Sequence, residues 1–282
     1  MRYLIPLLAF LLIGCDGENS NVAPSKDSPE ETASGTKPPE AVSVNPNLKY
    51  GIKGDAVTIT GCDKKASGEL IIPANIEGKT VTSIGNFAFS RCTNLTSITI
   101  PDSVNSIGEA AFGKCDSLRS ITISKGVTSI GDGAFFDCYT LTSMTIPDGV
   151  TSIGDEAFAG CSSLTSITIP DSVTSIGDWA FGNCVNLTSI TIPDGVTSIG
   201  SSAFVACYSL TSITIPDSVT SIGGSAFAYC RNLTTVTLLG DAPKIENKAF
   251  KDSSPTIYRK PEAKDWGDTF AGKPVKLITE KP

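Results

Sequence analysis

Residues 153–175 read IGDEAFAGCSSLTSITIPDSVTS, and similar 23-residue segments recur from residue 84 to residue 250. Isoleucine opens each of eight repeats, at positions 84, 107, 130, 153, 176, 199, 222 and 245. Phenylalanine stands at the sixth position of the same repeats, at 89, 112, 135, 158, 181, 204, 227 and 250. A fixed period of this length is typical of a solenoid, in which each repeat stacks on its neighbours.

Each repeat contains one segment with strand character. In Ile167-Thr168-Ile169 the apolar and polar residues alternate, which places both isoleucines on one face of a short strand. Pro170 then ends the hydrogen-bond ladder. Residues 153–164 favour a tight turn followed by irregular or 3₁₀-like coil. The pattern therefore predicts one strand and one coil per repeat.

A single repeat is too small to fold alone. About six large apolar side chains contribute ~1.5–3 kcal/mol each, against ~1.5 kcal/mol of ordering entropy for every residue. Stability must therefore come from stacking isoleucine on isoleucine and phenylalanine on phenylalanine between repeats. Both ends of such a stack need a capping segment.

The pattern I-G-x-x-A-F-x-x-C-x-x-L resembles the repeats of the BspA-like leucine-rich-repeat proteins of bacteria, and the likeness covers about residues 50–270. The resemblance implies a leucine-rich-repeat solenoid of eight repeats, with short parallel strands, turns and short 3₁₀ or irregular coil. It also implies an interaction role, because family members described as adhesins bind matrix proteins or other cells.

The segments on either side of the repeats resemble that family's caps. Residues 48–83 form the predicted N-terminal cap, with strands at Val57-Thr58-Ile59-Thr60 and Leu70-Ile71-Ile72-Pro73, and with a loop of about five extra residues before Val81. Residues 251–282 form the predicted C-terminal cap, with a closing strand at Thr256-Ile257-Tyr258 and a loop at residues 266–270. The repeats themselves occupy residues 84–250.

The amino terminus resembles a bacterial lipoprotein signal peptide. Arg2 precedes the apolar run Tyr3 to Ile13, which is too short to span a bilayer. Leu12-Ile13-Gly14-Cys15 matches the lipobox, which implies removal of residues 1–14 and lipidation of Cys15. An ordinary signal peptide with an incidental cysteine is the alternative. We expect an exported, lipid-anchored chain whose location, on the outer surface or the periplasmic face, stays open.

Residues 15–47 predict a flexible tether behind the lipidated cysteine. They are rich in Pro, Ser, Glu, Lys and Asn, with almost no large apolar side chain. Such a segment buries too little apolar surface to offset the entropy of ordering. The membrane is therefore a predicted partner through the lipid anchor.

Composition argues against two classes of function. With 22 basic and 29 acidic residues, the net charge of −7 disfavours nucleic acid as a partner. The sequence contains no histidine, the most common general base and zinc ligand near neutral pH. We expect no enzyme activity, no cofactor and no metal site.

Cysteine occupies the ninth position of seven repeats. These residues are Cys92, Cys115, Cys138, Cys161, Cys184, Cys207 and Cys230. Each stands where leucine-rich repeats place a buried Asn or Cys, so we interpret the column as structural. A redox or metal array is the alternative, and pairing of some neighbours stays open because a sulfur bonds only once. Cys62, in the cap, either starts this column or stays free.

Two polar columns also invite a functional interpretation. Asp102, Asp148, Asp171, Asp194 and Asp217 recur in turns, where stacked carboxylates could recruit Ca²⁺, but aspartate also favours such turns by bonding its own backbone. Outward serine and threonine form rows at Ser97, Ser143, Ser166, Ser189 and Ser212 and at Thr99, Thr122, Thr145, Thr168, Thr191, Thr214 and Thr237. Ice or glycan-lattice binding competes there with plain strand propensity.

The departures from the repeat are the candidate ligand-binding residues, because packing does not dictate them. Six of them are aromatic: Phe87, Phe136, Tyr139, Trp179, Tyr208 and Tyr229. Aromatic side chains are enriched at binding hot spots. The leading hypothesis is a monomeric, non-enzymatic module that binds a protein or glycan. The alternative is a structural component of the cell envelope without a discrete ligand.

Overall fold

The computed structural model describes residues 45–280. The predicted signal peptide, Cys15 and residues 16–44 lie outside this range. None of the helices within residues 45–280 has the length and hydrophobicity that crossing a bilayer requires.

The segment before the repeats supplies the first members of two rows of parallel strands. Its strands, with the first long strand of the repeats, are β1 (Leu48–Lys53), β2 (Ala56–Cys62), β3 (Ser67–Ile71), β4 (Asn75–Ile76), β5 (Lys79–Ile84) and β6 (Asn94–Thr99). Strands β1 and β2 form an antiparallel hairpin, β2 pairs with β5 in parallel, and β3 pairs with β6 in parallel. The residues predicted as an extra loop before Val81 instead form the β4–β5 hairpin. Glu77 and Gly78, both with positive φ, make its two-residue turn.

Most repeats contain two strands rather than the one predicted. The remaining strands of the repeats are β7 (Ser106–Ile107), β8 (Ser120–Thr122), β9 (Ser129–Ile130), β10 (Ser143–Thr145), β11 (Ser152–Ile153), β12 (Ser166–Thr168), β13 (Ser175–Ile176), β14 (Ser198–Ile199), β15 (Ser212–Ile215), β16 (Ser221–Ile222), β17 (Thr235–Leu238) and β18 (Lys244–Ile245). The two-residue Ser-Ile strands were missed because a pair of residues shows no alternation. After the repeats come β19 (Thr256–Arg259), β20 (Thr269–Phe270), β21 (Lys273–Leu277) and a 3₁₀ helix at Ile278–Glu280.

The two rows of strands give a β-solenoid with a 23-residue spacing. The Ser-Ile strands, together with β1, β2 and β18, form one continuous sheet in the order β1-β2-β5-β7-β9-β11-β13-β14-β16-β18. In this sheet Ser175 pairs with Ser198 and Ser198 with Ser221. The longer strands form three sheets, β3-β6-β8, β10-β12 and β15-β17-β19-β21-β20. Residues 189–191 have no assigned strand, and this interrupts the second row.

The core is built from columns of identical side chains. All eight phenylalanines are buried, and neighbouring rings stack with centroids 5.1–5.4 Å apart and planes within 3–12°. Offset stacking adds about 0.5–1.5 kcal/mol per pair beyond the burial of area. Ile167 and Ile169 are buried while Thr168 is exposed, which confirms the predicted alternation. Each repeat is therefore stabilised through contacts with its neighbours.

The coil between the strands alternates two kinds of backbone hydrogen bond. The Trp179 N–H donates to the carbonyl of Ser201 in the next repeat (2.9 Å), whereas the Gly182 N–H donates back to Trp179 (2.8 Å). In these segments the fourth and eighth positions have a positive φ, as in Trp179 (57°) and Asn183 (59°). The left-handed residues interrupt any 3₁₀ run, so within residues 84–250 the predicted coil is a series of turns.

Glycine at the second position lets adjacent repeats approach closely. A Cβ on Gly177 would lie 2.7 Å from the carbonyl carbon of Gly154, well inside van der Waals contact. Besides the Asp155 side chain, backbone atoms of Gly154 and Asp155 fill the space at this position, and backbone cannot swing away as a flexible side chain can.

Candidate interaction surface on the coil segments

A column of apolar and small residues runs along the coil segments, and Phe136 is its one partly exposed member, since the other four are buried. It consists of the seventh position in the third to seventh repeats, which is Phe136, Ala159, Gly182, Val205 and Ala228. The same column is polar at its ends, at Ser90 and Lys251. We call the five residues the coil stripe. With neighbouring repeats about 5 Å apart, the coil stripe is about 20 Å long.

Phe136 and Trp179 stand on either side of the fourth repeat and enclose a shallow cavity of about 270 Å³. Ala159 and Gly160 line it between the two rings. We call this cavity the aromatic cleft. Two predicted site residues from different repeats thus meet at one place. The small residues between them leave room for a ligand group.

Polar groups border the aromatic cleft on both sides. Asp137, Glu156 and Asn183 also line the cavity. Aromatic faces next to carboxylate and amide groups suit a ligand that has both an apolar part and hydrogen-bond donors.

Backbone geometry fixes the position of Trp179. Its φ of 57° is unusual for a bulky residue, but the fourth position has a positive φ in every repeat, for example at Ser202 (56°) and Ser225 (57°). The indole lies over Gly182, where an added Cβ would come within 2.7 Å of Trp179 Cε3. Neither the backbone nor the core requires an aromatic side chain at this position.

Phe136 carries a cation on one side and carboxylates on the other. Lys114 Nζ lies 5.2 Å from the centre of the Phe136 ring and 3.6 Å from Asp137 Oδ2. A second cavity of about 320 Å³ borders Phe136 and is lined by Glu109, Asp132, Asp155 and Glu156, among others. The stripe therefore has an acidic border at its Phe136 end.

The backbone holds part of this acidic border in place. Asp132 Oδ1 accepts a hydrogen bond from the Asp155 N–H (3.0 Å), and Asp155 Oδ1 accepts one from the Asp178 N–H (2.7 Å). These bonds join successive repeats, so the carboxylates stack in register. Their arrangement is part of the solenoid.

Tyr139 and Tyr208 lie on another column, at the tenth position of their repeats. Both are exposed, at 45% and 39%. A hydrogen bond to Asp137 raises the pKa of Tyr139, which links that ring to the border of the aromatic cleft. Tyr208 lies beneath Arg231, whose Cζ is 5.4 Å from the ring centre.

Tyr229 closes the far end of the coil stripe. It packs against a small buried cluster of Val205, Ala206 and Ala228. Lys251 Nζ lies 5.2 Å from its ring centre, and a hydrogen bond that Lys251 donates to Tyr229 is the main reason that the pKa of Lys251 is raised. The structure thus brings Phe136, Trp179 and Tyr229 onto one surface.

Phe87 lies apart from the other departures. It occupies the fourth position of the first repeat, two repeats before the one that carries Phe136, and its side chain is 53% exposed. It lines neither the aromatic cleft nor the adjoining acidic cavity. Phe87 is therefore an isolated aromatic residue at the same register as Trp179.

Sequence reasoning overlooked the small residues that make the coil stripe. Ala159, Gly182 and Ala228 carry no obvious chemistry, so none was a candidate. The available signal was the column itself, which lacks a polar side chain from the third to the seventh repeat.

The seven cysteines of the ninth column are buried, and so is Cys62; all eight are free thiols. From the second to the seventh repeat, each thiol donates a hydrogen bond to the phenylalanine carbonyl of the preceding repeat. Cys161 Sγ, for example, lies 3.2 Å from the Phe135 oxygen. Burial raises the pKa of Cys161, Cys184 and Cys207 well above the usual value. In the eighth repeat Ser253 replaces cysteine, and its hydroxyl donates to Phe227 (2.7 Å).

The columns of aspartate, serine and threonine do not bring candidate groups together at one site as the aromatic residues do. The five recurring aspartates are exposed, and residues 45–280 contain no group of three acidic, cysteine or histidine side chains that could hold a metal ion. On the strand face, a shallow groove of about 450 Å³ is lined by Ser120, Thr122, Ser143, Thr145, Ser166 and Thr168, together with neighbouring isoleucines and Met144. Thr237 was expected to face outward with the other threonines but is buried, next to Tyr258 in the ladder. The interpretation of Thr237 as part of an exposed row was wrong, because the closing strand β19 covers this end.

A cavity of about 650 Å³ lies near the C-terminal end of the repeats. Its lining combines Asp217 and Glu262 with Lys244 and Lys260. Because carboxylates and ammonium groups both line this cavity, it selects for neither charge. None of the predicted site residues lines it.

Comparison with known proteins places this architecture in a family. No curated protein sequence matches the chain. A leucine-rich repeat protein from Bacteroides ovatus has a similar solved structure, with a TM-score of 0.50, 24% identity, and coverage of 83% of this chain and 76% of that one. A leucine-rich repeat protein from T. pallidum is also similar, with a TM-score of 0.47, 26% identity, and coverage of 76% and 83%.

The first of these two likenesses supports the fold alone.

The family model of the BspA-type leucine-rich repeat region matches residues 70–154 and 128–256, in six copies. Together these segments span more than half of the chain. The chain therefore belongs to the BspA-type leucine-rich repeat family.

Proposed function

We propose that this chain is a non-enzymatic interaction module that binds a protein segment through the aromatic cleft and its polar borders. The observation that carries the proposal is the aromatic cleft, in which Phe136 and Trp179 flank the small residues Ala159 and Gly160. A partner's side chain placed between the two rings would bury apolar surface on both sides. Aromatic anchors of this kind dominate the energy of many protein interfaces.

Charge favours a basic partner. Glu156 and Asp137 line the aromatic cleft, Glu109, Asp132 and Asp155 line the adjoining cavity, and the chain as a whole carries a net charge of −7. A lysine or arginine side chain would stack on the aromatic faces and meet these carboxylates. We therefore propose an extended segment with basic residues as the ligand.

A glycan is the second candidate ligand. Sugar rings have apolar faces and many hydroxyl groups, and the aromatic cleft offers two rings, the Asn183 amide and two carboxylates. The strand face, with its rows of serine and threonine, is less selective because its groove offers only hydroxyl groups and apolar side chains.

The chemistry of the surface supports a role in binding rather than catalysis. The sequence has no histidine. The cysteines of the column lie inside the solenoid, where burial raises the pKa of the central thiols and disfavours a thiolate nucleophile.

Anchoring and location complete the proposal. Lipidation of Cys15 would hold the chain on a bacterial membrane after export, with the residues up to 47 as a tether and the solenoid as a monomeric module. Metabolic labelling with a fatty acid tests this part. Label should enter the parent chain and be absent from a Cys15→Ala variant. Protease treatment of intact cells would then distinguish the outer surface from the periplasmic face.

Binding is tested with the full chain in detergent on two arrays, one of basic, neutral and acidic peptides and one of glycans. We expect the parent chain to bind basic peptides. The Phe136→Ala/Trp179→Ser variant should lose at least about tenfold in affinity, because tenfold corresponds to about 1.4 kcal/mol, within the range of one aromatic hot spot.

The matched control is Phe87→Ser, which removes an exposed aromatic residue at the same register as Trp179. It should bind as the parent does. Binding to glycans alone, lost in the double variant, would favour the second candidate. Binding that the double variant keeps, or that Phe87→Ser also loses, would contradict a site at the aromatic cleft. If neither array gives a signal, the structural role in the envelope is favoured.

A further inference from the structure

The hydrogen bonding of the cysteine column is different at its N-terminal end. From Cys115 to Cys230 every thiol has a carbonyl acceptor in the preceding repeat, as in Cys115 Sγ to the Phe89 oxygen at 3.2 Å. The segment before the first repeat has no matching phenylalanine. Within residues 45–280, Cys92 is therefore the column member whose thiol lacks such an acceptor.

Two other groups take the place of that acceptor. The Cys62 side chain, at the end of β2, lies next to that of Cys92. Lys64, in the exposed turn after β2, has Nζ 3.8 Å from Cys92 Sγ and also donates to the Ser90 carbonyl. Two free thiols and one ammonium group thus converge where the cap meets the first repeat.

This environment favours the thiolate of Cys92. The contact with Cys62, assisted by the positive charge of Lys64, outweighs burial and lowers the pKa of Cys92 to about 7. The pKa of Cys62 is raised by the same contact and by burial. Cys92 is therefore the thiol that attacks a disulfide oxidant as a thiolate, whereas its neighbour Cys62 stays protonated.

We propose that Cys62 and Cys92 form a disulfide that ties the N-terminal cap to the first repeat, while the rest of the column stays reduced. This disulfide would form whether or not the aromatic cleft binds the proposed ligand. It requires only that the chain meets an oxidant of the disulfide class, such as oxidised glutathione.

The reaction is a thiol–disulfide exchange. The Cys92 thiolate attacks one sulfur of the oxidant, RS–SR, which forms a mixed disulfide and releases RS⁻. The Cys62 thiol then loses its proton and attacks the Cys92 sulfur, which forms the Cys62–Cys92 bond and releases a second RS⁻. The two sulfurs of the protein are oxidised by two electrons, the oxidant is reduced to two RSH, and the two leaving thiolates take up the protons.

Cys115 and Cys138 are also neighbours, but their contact and burial raise the pKa of Cys115, and both thiols donate to carbonyls of the preceding repeat. Oxidation of Cys138 and Cys161 would remove two hydrogen bonds, to the Phe112 and Phe135 carbonyls at 3.1 and 3.2 Å. Burial also raises the pKa of Cys161 well above the usual value. The Cys62–Cys92 pair has no carbonyl bond to lose.

A disulfide would also stabilise the solenoid most at the junction of the cap and the first repeat. Repeat arrays fray from their ends, because a terminal repeat has a neighbour on one side only. Cys62 lies in the cap and Cys92 in the first repeat. The disulfide would therefore keep the cap attached to the first repeat, where unfolding from this end of the solenoid begins.

The first test is a thiol map of the full chain after equilibration with reduced and oxidised glutathione, acid quenching, and alkylation under denaturing conditions. We expect peptides with Cys62 and Cys92 to be joined, with the loss of the mass of two hydrogens, and peptides with Cys138 and Cys161 to be alkylated. Recovery of Cys62 and Cys92 as alkylated thiols, or joined to other cysteines, would overturn the proposal.

The second test traps the intermediate. In a Cys62→Ser variant the second step is blocked, so glutathione should accumulate on Cys92, and more slowly as the pH falls below 7 because the thiolate is protonated. The matched variant Cys138→Ser, in which serine can still donate to the Phe112 carbonyl, should show normal pairing of Cys62 with Cys92. The idea fails if Cys92 carries no glutathione in the first variant, or if the column cysteines carry as much.

Discussion

Phe135 and Phe136 are neighbours in the chain but belong to different parts of the molecule. Phe135 is fully buried and stacks between Phe112 and Phe158, with ring centroids 5.3 Å away on both sides. Phe136 is partly exposed and lines the aromatic cleft. The difference shows that the sixth column holds the solenoid together, whereas the seventh column is free to vary.

The largest expected effect comes from the sixth column. Phe135→Ala leaves a cavity in a continuous stack and should lower the free energy of unfolding by about 3–5 kcal/mol. Phe136→Ala should lower it by less than about 1 kcal/mol, because the ring is partly solvated. Urea denaturation of the two variants side by side measures both. Similar losses would show that the seventh column also carries the fold.

The second column should give the next largest effect. Gly177→Ala places a Cβ against the backbone of Gly154, and the displacement this requires should cost about 1–3 kcal/mol. Gly224→Ala is the control, because its Cβ would meet the end of the flexible Glu246 side chain at 3.2 Å. The two urea midpoints should differ clearly, and equal midpoints would argue against the close approach of repeats at the second position.

Cysteine in the ninth column should be replaceable by serine. Cys161→Ser keeps a donor for the Phe135 carbonyl, as Ser253 does for Phe227, and should leave stability nearly unchanged. Cys161→Ala removes that donor and should cost about 0.5–1.5 kcal/mol. Thermal unfolding under reducing conditions compares them. A serine variant less stable than the alanine variant would contradict a hydrogen-bonding role for the column.

The smallest effect on stability is expected at Trp179. Trp179→Ser introduces the residue found at the same register at positions 202 and 225, where φ is also positive. We expect a change below about 0.5 kcal/mol in the free energy of unfolding. A loss of several kcal/mol would assign the indole to the core instead.

The period of the sequence was enough to predict the solenoid, because eight isoleucines and eight phenylalanines at one spacing leave a single way to stack. The second row of strands was not predictable, since Ser-Ile pairs become strands only when the neighbouring repeat supplies a partner at the same register. The burial of Thr237 depends on β19, which lies outside the repeat.

The candidate site was predictable only in part. Aromatic departures were visible as breaks in the pattern, but the meeting of Phe136 with Trp179 depends on the small residues of the repeat between them. The proximity of Cys62 to Cys92 could not be derived from a 23-residue period, because Cys62 lies outside that register. In both cases the contact is set by how neighbouring repeats stack.

The most direct test of the account replaces every aromatic departure with a residue found at the same register elsewhere in the chain. The variant combines Phe87→Ser, Phe136→Ala, Tyr139→Ser, Trp179→Ser, Tyr208→Ser and Tyr229→Asn. Its urea midpoint and its binding to the peptide and glycan arrays are measured together. The account predicts a midpoint within about 1 kcal/mol of the parent in free energy and a loss of array binding. A collapsed midpoint, or binding that survives, would contradict the claim that the repeated columns build the fold and the departures at the aromatic cleft recognise the ligand.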